Sequence, residues 1–448
     1  LGLPADMSAT LAVAPQTVRF EDIRGQVGGN GVGGTVTVDR TAATARASGD
    51  VTLDLVDLGW LGEAVYGPVT DGPTGGLSQK PFALPMFAGT DLAFTLHART
   101  LKGFGLPPAQ DLTARLSSRA GGVTIEDAKG QWLGGQIAGR IAMSNSEGVG
   151  LFQTRISAEN ADLAPLVWLS DGKPVATGRA SFELAAEATG KTPAGLLAAA
   201  SGSGALHLTD LSLTRLNPAL LPSLLPRADR IEGEVTEAKV EPLLEGLVHE
   251  GSVGLGKVDI PFTMTGGQVR AQNVAARAGD TRLGADLRID LVEEALEAQV
   301  QVTYEPGEDA VAGGDAALKL LYSGDLSDPS ETLDAGALTN FLSLRAFERE
   351  RRRVETLQAS VLEKQRLRRE VALYSFEDNR RRIQREKAEA EAKARAAEEA
   401  RLAAEAQARQ RAADEQRRRE AESVPQLTVP PTGDIFRQDG LAPGAAGN

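Results

Sequence analysis

The 448 residues contain no cysteine, only 4% aromatics and three histidines. Without cysteine, a disulfide-stapled scaffold and a thiolate metal site are both excluded. His97, His207 and His249 stand far apart in the sequence. None forms the i, i+4 pair of a zinc helix, and none accompanies a serine in a strained strand-to-helix turn, so no metal site, cofactor or catalytic residue is expected. A run of about 18 apolar residues, the minimum for a membrane-spanning helix, is also missing. No basic start leads into an apolar stretch, as a signal peptide would require. The chain opens on Leu1, and the expectation is a piece of a longer protein, with any targeting segment upstream of Leu1.

The net charge of −13 argues against a phosphate-binding surface and hence against nucleic acid. That charge is uneven. Residues 1–344 carry 25 Lys and Arg against 42 Asp and Glu, whereas 345–422 carry 22 against 17. Two chains of different character are joined near residue 340.

The first character is β. Residues 34–38, 111–116, 123–126, 139–143 and 287–291 alternate apolar with polar side chains, the period of strands with one dry and one wet face. Glycine-rich breaks at Gly28-Gly29, Gly121-Gly122, Gly134-Gly135 and Gly266-Gly267 space these runs as antiparallel hairpins, not as βαβ units. A few helical pieces interrupt them: Thr192 as a cap before Pro193, the apolar run 218–225, and two plugs at Trp60–Val65 and Leu163–Leu169. Gly28–Gly34 looks like a phosphate loop but lacks the Lys-Ser/Thr ending, so the hairpin reading prevails.

The β region also repeats. Residues 18–36 align without gaps on 123–141, matching Glu21-Asp22 to Glu126-Asp127, Gly25 to Gly130 and Gly34 to Gly139. A weaker third copy, 269–291, places Asn273 where Asp22 stands. Copying one strand–hairpin–strand unit extends a sheet. Because the Glu-Asp pair recurs once per copy, a turn role is expected for it, not acid–base chemistry. The units expected are 1–105, 106–200 ending in a short helix, and a degenerate 201–334.

The second character is helical. Residues 335–422 hold one glycine and no proline and are rich in Ala, Glu, Arg and Gln, which predicts one long charged helix. Its early apolar residues Leu338, Phe341, Leu342, Phe347, Val354, Leu357 and Val361 are candidates for docking. Coiled-coil order then fails, since Lys364 and Arg368 occupy the next seam positions. The tail 423–448, with Pro425, Pro430 and Pro431, is expected to be disordered.

Residues 111–145, 192–214 and 323–359 together resemble the AsmA family of bacterial envelope proteins, in particular its C-terminal region in alphaproteobacterial members. That resemblance implies a mainly β fold: an elongated, curled antiparallel sheet of repeated units forming a groove, followed by the long helix. It further implies a non-enzymatic protein on the periplasmic side of the inner membrane, anchored by a segment that this chain lacks. Such a protein holds or conducts phospholipid along the groove between the inner and outer membranes and influences outer-membrane assembly. A sheet face that is apolar must be covered, and acyl chains are one filler. The candidate lining residues are Leu92, Phe94, Leu96, Leu112, Leu116, Val123, Ile125, Ile137, Ile141, Met143, Phe152 and Ile156. The expected partners are phospholipid acyl chains, the inner membrane, and an envelope protein through 345–422. The alternative is a scaffold with a closed β core and the helix as its partner-binding arm.

Overall fold

The computed structural model describes residues 4–41, 44–71, 76–87, 89–103 and 105–421; the expected disordered tail lies outside them. Residues up to Arg352 form one compact unit and those from Arg353 a second. The first unit is built on a single long, curled, open sheet of 17 strands. β1 (Ala5–Val13), β2 (Thr17–Val27), β3 (Asn30–Asp39) and β4 (Ala45–Asp57) pair in sequence, each antiparallel to the last. β5 (Thr90–Gly103) to β9 (Val149–Asp162) continue through β6 (Leu106–Arg119), β7 (Gly122–Trp132) and β8 (Gly135–Ser146). β10 (Leu169–Ser170) and β11 (Lys173–Pro174) form a small separate hairpin. β9 then pairs with β12 (Ala176–Gly190), and β13 (Ser201–Leu213), β14 (Val253–Thr265), β15 (Gln268–Ala278), β16 (Thr281–Asp290), β17 (Ala295–Tyr304), β18 (Ala317–Asp325) and β19 (Ser330–Asp334) follow in order.

One junction departs from the antiparallel expectation: β4 and β5 run parallel. A parallel neighbour needs a crossover, and here residues 58–89 supply it, including helix α1 (Leu58–Tyr66). The Asp57 carboxylate caps α1 by accepting from the Gly59 N–H at 2.9 Å. The expected unit boundaries fall at loops, but strands on both sides of each early boundary pair directly, β5 with β6 and β12 with β13. The repeat thus extends one sheet and does not make separate bodies.

The acidic pairs are not turns. Asp22, Asp127 and Asn273 lie inside strands, each at φ between 52 and 56°. At each, the strand advances three residues against two on its neighbour: Phe20 to Ile23 against Val36 to Gly34, Ile125 to Ala128 against Ile141 to Gly139, and Ala271 to Val274 against Leu287 to Ala285. These are β-bulges, and Asp111, Asn160 and Asp210 mark three more at φ 51–55°. Asp and Asn tolerate the left-handed conformation because their short side chains bond locally. Each bulge adds local twist and bends its strand, so the repeated acidic pair is the device that curls the sheet. Asp127→Gly is expected to leave stability within about 0.5 kcal/mol, while Asp127→Val costs about 1–3 kcal/mol of backbone strain. Urea denaturation of the full chain checks this, and equal midpoints for Val and Asp would refute the role.

Two repeat glycines have a steric reason. A Cβ on Gly34 would lie 2.0 Å from the Asp50 carbonyl oxygen, and one on Gly25 would lie 2.1 Å from that of Asp6. Neither site can hold a side chain while the strands stay paired.

The largest core lies towards the end of the sheet. Helices α3 (Leu220–Ala228) and α4 (Glu237–Glu245) and the first turns of α5 (Gly336–Ala421) cover Val302, Leu318 and Leu320. Leu338, Phe341 and Leu342 of α5 are buried there, as expected. Phe347, Val354, Leu357 and Val361 are exposed, so those docking expectations are corrected. Arg345 closes the docked segment by donating Nε to Asp309 at 2.8 Å and Nη1 to Asp229. Beyond it the helix carries alternating charge on every side, as a solvated helix does.

Candidate functional site

The cross-strand registers define one continuous inner face. One row runs Phe20, Val36, Gly49, Phe94, Leu116, Ile125, Ile141, Thr154 and Ala186, from β2 to β12. Flanking rows pass through Val18, Val38, Leu92 and Met143 on one side, and through Val51, Leu96, Ile156 and Leu184 on the other. A fourth contains Val32, Leu53, Leu112, Ile137 and Phe182. None of the four rows contains a charged side chain. At about 4.8 Å between strands and about 6.8 Å between rows, the strip measures on the order of 40 Å by 20 Å.

The bulges keep this face in register. An added residue in an alternating strand would turn every later side chain to the opposite face. The bulge absorbs that shift: Val123 and Ile125 point inward before Asp127, and Ala128, Gly130 and Trp132 after it. The outer positions of the same strands carry Arg115, Lys129, Arg140, Arg155 and Glu183.

All twelve sequence-derived candidates fall on this inner face, Leu92, Phe94 and Leu96 from β5, Leu112 and Leu116 from β6, Val123 and Ile125 from β7, and the rest from β8 and β9. They differ in what covers them. Val123, Ile125 and Met143 lie beneath Leu61, Val65 and Tyr66 of α1. Two polar groups strap this cover to the sheet. The Tyr66 hydroxyl donates to the Leu151 carbonyl, and the buried Asn145 amide donates to the carbonyls of Ala83 at 2.6 Å and Val65 at 3.2 Å. Burial raises the Tyr66 phenol above its ordinary pKa, so it stays a neutral donor. Helix α2 (Pro193–Ala198), capped by Thr192 through Gly195 at 3.0 Å, covers Ala188 and Met264 next to it.

Leu96 and Leu112 are buried as well, and Ile137 and Phe182 pack against the buried Ala109, Trp132, Ala158 and Ala161; it is towards β2–β4 that the face opens. No described residue from Pro4 to Asp57 is buried, although Val18, Phe20, Ile23, Val32, Val36, Val38, Val51 and Leu53 all point inward. Ile137, Ile156, Leu184, Leu206 and Phe262 are likewise only half-buried. The residues of β2–β4 and β12–β14 extend the candidate lining beyond the sequence-derived set.

The uncharged character ends at the last strand, where Glu331 shares the inner face beside Tyr322. His249 Nε2 lies 3.1 Å from the Glu331 carboxylate. Burial pushes that carboxyl up most strongly, but the bond and charge of His249, with Tyr322 and Arg215, together hold Glu331 below its usual pKa; the bond to Glu331 lifts His249 above its own. On the outer face, a polar recess of about 560 Å³ lies between Arg140, Arg155, Gln153 and Glu187.

Among the described residues, no three His, Asp or Glu side chains gather as a metal site, and no helix is long and apolar enough to cross a membrane. Comparison with protein-family models, curated proteins and solved structures returned no match.

Proposed function

We propose that the uncharged inner face holds the acyl chains of phospholipids and lets them pass along the rows, as in a non-enzymatic lipid carrier or conduit of AsmA type at the periplasmic side of the inner membrane. The observation that carries this reading is a strip of four uncharged rows of which much is left uncovered. A monomeric soluble protein rarely exposes more than a few hundred Å² of contiguous apolar surface. The strip is on the order of 40 Å by 20 Å, and its uncovered stretch on β2–β4, where no described residue is buried, calls for a filler. An acyl chain, at about half the ~30 Å hydrocarbon thickness of a bilayer, fits within its length. Each methylene it buries contributes about 0.8 kcal/mol. A headgroup remains in solvent at the open side, so no charge needs to enter the strip.

The full chain incubated with vesicles containing a fluorescent phospholipid is expected to extract the lipid saturably, with unlabelled phospholipid competing. No transfer from vesicles to a folded sample would sink this reading. It would favour the second one, an envelope scaffold whose arm is α5, where Val371, Tyr374 and Phe376 stand more than 60% exposed.

A further inference from the structure

The two edges of the sheet are built differently. β19 is five residues long and carries Glu331 and Asp334, features that blunt an edge against strand addition. β1 is nine residues long, fully exposed, and free of Lys, Arg and Pro. It pairs with β2 alone among the described residues. The direction of its backbone groups follows from its two ends. The Ala14 N–H donates to the Thr17 carbonyl and the Pro4 carbonyl accepts from the Gly28 N–H, each at 2.8 Å, so even-numbered residues turn their backbone groups to β2. Alternation then turns the N–H and C=O of Ala5, Met7, Ala9, Leu11 and Val13 to the open edge. By register with Gly25, Phe20 and Val18, the side chains of Met7, Leu11 and Val13 lie on the inner face, where they are 53%, 56% and 70% exposed.

We propose that β1 pairs antiparallel with β1 of a second copy of this chain, about a two-fold axis at Ala9. The pattern is self-complementary about that residue. Met7 meets Leu11 of the second copy and Ala5 meets its Val13, so the apolar inner faces join without a break. The same five residues from each strand exchange about ten backbone hydrogen bonds. The lone charge of the strand also finds a partner. Asp6 faces Ala12 of the second copy, and Ala12 is in register with Arg19 of β2 on the outer face. Arg19 is held by Glu21 on its own strand at 3.1 Å, and the small Ala12 leaves room for it to reach across to Asp6 as well, an arrangement repeated by symmetry at the other end. An isologous contact of this kind closes as a dimer and leaves no further open β1 edge.

The absence of cysteine permits a clean test on the full chain. In the paired register Ser8 faces Thr10 of the second copy at a non-hydrogen-bonded position, with Cα atoms close enough for a disulfide. Mild oxidation of Ser8→Cys mixed with Thr10→Cys is expected to yield at least tenfold more cross-linked dimer than either variant alone. Ala9→Pro removes an N–H that the fold does not use, and is expected to weaken dimerisation in sedimentation at least tenfold while circular dichroism stays unchanged. A monomeric wild-type chain, equal cross-linking in mixed and single samples, or a dimer untouched by Ala9→Pro would each overturn the proposal.

Discussion

Val36→Asp and Ile141→Asp are each expected to reduce phospholipid extraction by the full chain at least tenfold, without unfolding it. Both residues lie in one row of the inner face, on β3 and β8, and both are half-buried. A carboxylate there would have to be desolvated against acyl chains, at a cost of several kcal/mol or by taking up a proton. Since about 1.4 kcal/mol is tenfold in affinity, one substitution suffices. At Val36, which packs into no buried cluster of the described residues, the carboxylate keeps much of its water without lipid, so stability changes far less than binding. Ile141 also packs against the cluster under α1, so its variant loses some stability as well. Arg140→Asp is the control: it sits beside Ile141 on the opposite face, and extraction is expected to stay within twofold. Wild-type extraction by Ile141→Asp and Val36→Asp, or loss only together with unfolding, would show an ordinary core instead of a lipid surface.

Phe341→Ala is expected to lower unfolding stability by about 3–5 kcal/mol, the usual cost of emptying a buried aromatic site. Phe341 is fully buried among α3, α4 and β18, where α5 docks onto the sheet. Six residues further on, Phe347 is 67% exposed, and Phe347→Ala is expected to change stability by less than about 0.5 kcal/mol. Urea titration of both variants, followed by far-ultraviolet circular dichroism, separates them. Equal midpoints would mean that the start of α5 is not part of the core.

The contrast between these two phenylalanines marks one limit of legibility. Phe341 and Phe347 share the same helical pattern and differ only in what stands opposite, and α4, which was not legible as a helix, supplies part of that surface. By contrast, the strands, the Gly-Gly hairpins and the long helix announce themselves locally, through period-two alternation, φ > 0 turn residues such as Gly28 and Gly29, and helix-forming composition. The inner face was legible only in the middle of the sheet. There Leu112 with Leu116, Val123 with Ile125 and Ile141 with Met143 show their parity within a few residues. Phe20 and Ile23 have opposite parity yet share a face, because the Asp22 bulge lies between them. A fixed alternation misreads such strands. The Glu-Asp recurrence was itself the signal for the bulge, and only the partner register distinguishes a bulge from a turn. The parallel step from β4 to β5 was hidden for a similar reason, since helix α1 is too short to read as a crossover.

The most direct measurement is native mass spectrometry of the full chain purified under mild conditions, followed by solvent extraction and lipid analysis. A folded chain that carries phospholipid in discrete numbers, and loses it in the Ile141→Asp variant, is the predicted result. A folded chain that flies at its bare polypeptide mass, with no lipid in the extract, would contradict an acyl-binding inner face.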